Sequence, residues 1–136
     1  MRSLAPDVLH SARSQNSADC VIVSMATIFN LTYSEALLVC SSIEPHVLTR
    51  GLCTADTVRA LEVSGIDFVR RAPGTFDVET STGMLDVGPV NKRFADHTVA
   101  LWAGRIVEYD GQLWLHAADY LHNYMQRPHG LIEVPS

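Results

Sequence analysis

The chain has 136 residues, 47% of them apolar and 18% charged, with a formal net charge of −5. That length suits one compact domain over residues 1–136, and the composition excludes a disordered chain. No basic run exceeds a pair such as Arg70–Arg71. This argues against nucleic acid as the main partner, because phosphate binding needs a concentrated basic face.

In chain order, residues 1–18 show no strong periodicity. Asp19 then precedes "CVIVSMATIFN", apolar on nearly every face. Its length and its alanine, methionine and serine content predict a helix buried all round, with Asp19 as N-cap and Asn30 as its stop. "LTYSEALLVCSSI" carries Thr32 and Glu35 in capping-box spacing and predicts a second helix. "GLCTADTVRALEVSG" predicts a third, with Thr54 as cap and Gly65 past the end. From Gly65 on, the texture changes. "IDFVRRAP" alternates, residues 73–96 are rich in turn formers around "GMLDV", and "HTVALWAGRIVEYDG" reads as a β-hairpin turning at Ala103–Gly104. "HAADYLHNYM" predicts a short helix ended by "RP", and "GLIEV" a last strand. Helices first and strands later indicate an α+β fold, not repeating βαβ units.

Polar residues break every apolar stretch before the length of about 18 that a membrane span needs. No membrane partner is therefore expected. The N-terminal segment "MRSLAPDVLHSARSQ" has positive charge but no apolar core, so no secretory signal is expected. Cys20, Cys40 and Cys53 form neither an even set nor a CxxC pair. The expectation is free thiols in a reducing, cytoplasmic setting.

Cys20 is the chemically interesting cysteine. Placed in the first turn of its helix, it stands where the helix dipole favours a thiolate. A reactive thiol also needs a histidine base and a group to orient that histidine. His97 opens the first hairpin strand. A two-residue turn at Ala103–Gly104 sets Trp102 opposite Arg105 and His97 opposite Asp110. Opposed residues lie about 4.5–5.5 Å apart on one face. Glu108 shares that face and is the reserve carboxylate. Gln15 precedes Cys20 and could donate its amide to an oxyanion beside the Cys20 N–H. Cys40 falls on an apolar stripe and reads as core, and Cys53 reads as a loop residue. A zinc site built from Cys40, His46 and Cys53 matches no structural-zinc spacing.

The segments "QNSADCVIVSMATIFNLTYSEAL" and "HTVALWAGRIVEYDG" together resemble the papain-like cysteine peptidases. More narrowly they are similar to the C39-like, bacteriocin-processing peptidases and their short phage and bacterial relatives. The resemblance covers residues 15–40 and 95–125. It implies an N-terminal helical half packed on a C-terminal antiparallel sheet. Cys20 would be the nucleophile, His97 the general base and acid, Asp110 the orienting residue and Gln15 the oxyanion donor. It also implies hydrolysis of a peptide or isopeptide bond in a peptide or protein substrate, with no metal or organic cofactor. Two other outcomes fit the same scaffold. One is acyl transfer to an amine, as in a transglutaminase. The other is a non-catalytic peptide-binding module, favoured by Val21 where that family usually has glycine.

Overall fold

The computed structural model describes residues 19–108 and 111–135. Gln15 and Asp110 lie outside the described residues. The helices come first: α1 (Cys20–Phe29), α2 (Tyr33–Ser41), α3 (Val47–Arg50) and α4 (Thr54–Val63). Strands follow as β1 (Val69–Arg71), β2 (Gly83–Pro89), β3 (His97–Trp102), β4 (Arg105–Val107) and β5 (Leu113–Trp114). Helix α5 (Ala117–Asn123) and strand β6 (Gln126–Glu133) complete the described chain. The six strands form one sheet of order β1-β6-β2-β3-β4-β5, antiparallel throughout. The architecture is therefore α+β.

Strand alternation divides the core between the two faces of the sheet. Met84, Ala100, Val107 and Ile132 face α1 and the other N-terminal helices. Leu85, Val99, Leu101, Ile106 and Leu131 face the opposite way, toward Ala117 and Tyr120 of α5. Helix α1 lies between the sheet and the outer helices, so every residue from Val21 to Phe29 is buried. Its polar members are satisfied locally. Thr27 donates to the Val23 carbonyl at 2.8 Å, and Ser24 donates to the Thr98 carbonyl at 3.3 Å. No helix among the described residues is long and apolar enough to cross a membrane.

Several local expectations hold. Asn30 ends α1 in the left-handed conformation at φ 57°, and Thr32 with Glu35 forms both bonds of a capping box at α2. Ala103 and Gly104 both have positive φ, 46° and 85°, as a tight primed turn requires. Others are corrected. Asp19 occupies the N-cap position of α1 but makes no side-chain cap. Its carboxylate instead accepts the Tyr33 hydroxyl at 2.7 Å, tying α1 to α2. Cys53, not Thr54, is the cap residue of α4, because the Thr54 hydroxyl is used on Asp86 at 2.8 Å. "RP" does not merely end α5. Arg127 and Pro128 already belong to β6, which begins at Gln126. Helix α3 carries no sequence signal strong enough to announce its four residues.

Candidate active site

Cys20 is the first residue of α1, half-buried, with its side chain in the wall of a cavity of about 740 Å³. The buried run that follows it anchors the helix, so the sulfur is held at the helix end, where backbone N–H groups have no intrahelical partners. His97 enters the same cavity wall from the start of β3, fixed there by pairing with Val87 of β2. Its Nε2 lies 2.8 Å from Glu108 Oε1. Cys20 acts on the same ring and favours its protonated form. The structure thus brings together Cys20, His97 and Glu108.

Among the described residues, the carboxylate on His97 is the reserve one, Glu108. The predicted register is present, with Trp102 opposite Arg105 and Ala100 opposite Val107, but the β3–β4 ladder ends there. The chain reverses at Glu108: its N–H donates to the Gln112 carbonyl at 2.9 Å, and Gly111 N–H donates back to the Glu108 carbonyl at 2.8 Å. The reversal leads directly into β5. Carried on from Ala100–Val107, that register sets Glu108 diagonal to His97, and diagonal neighbours lie about 7–8 Å apart at the backbone, within reach of a long side chain.

Glu108 is held on both oxygens, since Tyr120 donates its hydroxyl to Oε2 at 2.9 Å. Burial and the facing Glu108 charge push the Tyr120 phenol well up, so it remains a donor. The ring is clamped by Trp114 and Tyr124, with centroids at 5.8 and 5.0 Å. Burial would lower the pKa of His97, but its bonds to Cys20 and Glu108 and their negative charge outweigh burial and raise it to about 10. Sequence reasoning missed Tyr120 because its role depends on α5 packing across the sheet, which leaves no local pattern.

No protein-family model, curated protein or solved structure matches the chain. The remaining residues of the site are therefore read on their own geometry. Asp86 of β2 is buried in the same cavity wall, and its two oxygens accept from Thr54 at 2.8 Å and Thr98 at 2.9 Å. Burial raises its pKa against the lowering effect of those two hydroxyls. Cys53 is exposed at the cavity rim. Cys40 is fully buried against Met25 Sδ at 3.9 Å, and burial pushes its thiol up to about 12, which makes it inert. Among the described residues, no three His, Cys, Asp or Glu side chains gather as metal ligands.

Proposed function

We propose that the protein is a cysteine-dependent hydrolase of papain-like type that cleaves peptide or isopeptide bonds. The observation that carries this reading is the His97 ring, bonded through Nε2 to Glu108 and sharing a cavity wall with Cys20, which acts on it. Nucleophile, base and orienting group then stand in order, the arrangement that activates a thiol. The helical half carrying Cys20 and the antiparallel sheet carrying His97 agree with the papain-like plan.

In this reading His97 holds the proton taken from Cys20 at rest, in keeping with its raised pKa. The sulfur attacks the carbonyl carbon, and the oxyanion forms beside the Cys20 N–H at the start of α1. Nε2 is held by Glu108, which orients the ring for proton exchange with the reacting atoms. His97 gives its proton to the leaving amine and the C–N bond breaks, leaving a thioester on Cys20. Water, deprotonated by His97, attacks that thioester. The acid product leaves and the sulfur returns to its paired state. Glu108 keeps its charge throughout and fixes the ring orientation, with Tyr120 fixing Glu108.

The test is hydrolysis of an unfolded protein substrate, together with iodoacetamide labelling followed by peptide mass spectrometry. Cys20→Ala is expected to abolish cleavage. His97→Gln and Glu108→Gln are expected to lower it by about 10²-fold or more, the usual scale of acid–base contributions. Cleavage that survives Cys20→Ala, or Cys20 labelling no faster than that of exposed Cys53, overturns the reading.

A further inference from the structure

The cavity at Cys20 adjoins a second one, of about 560 Å³, and the two share Thr54, Asp86 and Ala95 in their walls. The far cavity has a different character. Arg70, Arg71 and His129 line it, and Asp86 is its only carboxylate among the described residues. Both Asp86 oxygens are already engaged by Thr54 and Thr98. Arg71 is paired with Glu133 at 2.9 Å, while Arg70 acts on Asp86 only through its charge.

His129 reaches this cavity through an irregularity in the sheet. Asp86 pairs with Gly130, whereas the next residue, Val87, pairs with Pro128, so His129 is the extra residue of a β-bulge on β6. A bulge re-aims a side chain that regular pleating would place elsewhere. The space it needs exists because residue 88 is glycine: a Cβ there would come within 2.9 Å of His129 Nε2. That nitrogen is buried and has no hydrogen-bond partner among the described residues. Buried polar atoms are rarely left unsatisfied, and the His129 side chain belongs to the same cavity wall as Arg70 and Arg71.

We infer that the second cavity is a carboxylate-binding subsite of the cleft, formed by Arg70, Arg71 and the bulged His129, which selects peptides bearing an acidic group some residues away from the scissile bond. The inference rests on the hydrolase reading for its substrate, but the subsite itself is defined by the bulge and by the two arginines and the histidine that line the cavity. The carboxylate is either an acidic side chain or the free C-terminus of the peptide, and both present the same two oxygens to the arginines.

Dye-labelled alanine-rich hexapeptides with amidated C-termini, carrying Glu or Gln at each position in turn, test this directly. A parallel set carries Gln and a free C-terminal carboxylate. Cleavage is measured with the wild-type protein, and binding by fluorescence anisotropy with Cys20→Ala. A hydrogen-bonded charge predicts a preference of roughly tenfold or more for Glu at one position, or for the free C-terminus. Arg70→Ala and His129→Gln are each expected to collapse that ratio toward one. Equal handling of Glu, Gln and both C-termini overturns the subsite and leaves the hydrolase reading standing. A preference that Arg70→Ala and His129→Gln do not move overturns it as well. Preferential binding by Cys20→Ala with no cleavage by the wild type supports the subsite and counts against the hydrolase.

Discussion

His97 shows how a site sets its own proton inventory. Burial alone would strip the ring of its proton, yet two partners with negative charge reverse the balance. The ring titrates near 6.5 when unperturbed and near 10 in the fold. Between those values His97 holds in the fold a proton that it gives up in the unfolded chain. The stabilisation from this group is therefore complete below about pH 6.5 and is lost as pH rises through about 10. Because that proton comes from Cys20, whose thiol keeps its own in the unfolded chain up to about pH 8.5, the urea midpoint is expected to fall between about pH 8.5 and 10, with His97→Gln flattening the slope. A wild-type midpoint independent of pH there contradicts the assignment. The hydrolytic rate is expected to fall on the same alkaline limb, because a neutral His97 has no proton for the leaving amine. At this scale Cys20 and His97 were legible in the sequence, since a helix start and a strand start are local signals. Glu108 was legible only as an alternative, because the hairpin sequence offers a second carboxylate, Asp110, on the same face.

At the scale of elements, the β3–β4 hairpin matters most, because it carries both His97 and Glu108. Its turn is tight and strained in one place. Ala103 sits at φ 46°, a conformation that disfavours residues with a Cβ by roughly 1–2 kcal/mol outside Gly, Asn and Asp. Gly104 at φ 85° cannot be changed so freely, since a Cβ there would collide with the Glu79 backbone. Ala103→Asn is expected to stabilise the protein by about 0.5–1 kcal/mol, read as a raised denaturation midpoint. Ala103→Pro is expected to destabilise it. Proline cannot adopt that φ, and it would remove the N–H that Ala103 donates to Thr82 Oγ1 at 3.0 Å. The turn was readable from its sequence, and so was α1, whose apolar character on every face matches its burial between sheet and helices. The extent of β6 was not. Pro128 argues against a strand read locally, and the bulge beside it makes room for that proline in the ladder.

Across the whole molecule, the three cysteines are sorted by where the two cores close. Cys40 lies in the helical core, Cys20 at a cavity wall, and Cys53 at the surface. Brief iodoacetamide treatment is expected to modify Cys20 and Cys53 in the native protein and to spare Cys40. Cys40 labelling is expected only under conditions that open the core, at a rate that tracks global stability in added urea. Prompt Cys40 labelling in native buffer contradicts its placement. By itself the sequence determined the helix that starts at Cys20, the capping box at Thr32, the turn at Ala103–Gly104 and the helices-then-strands order. Each of these depends on residues within a few positions of one another. Only the tertiary structure decided that Glu108 meets His97, that Tyr120 braces Glu108 from α5, and that the bulged His129 shares a cavity wall with Arg70 and Arg71. Those contacts join residues from different strands and helices. They depend on where a ladder ends and where a bulge falls, and a one-residue change in either would turn the side chains away.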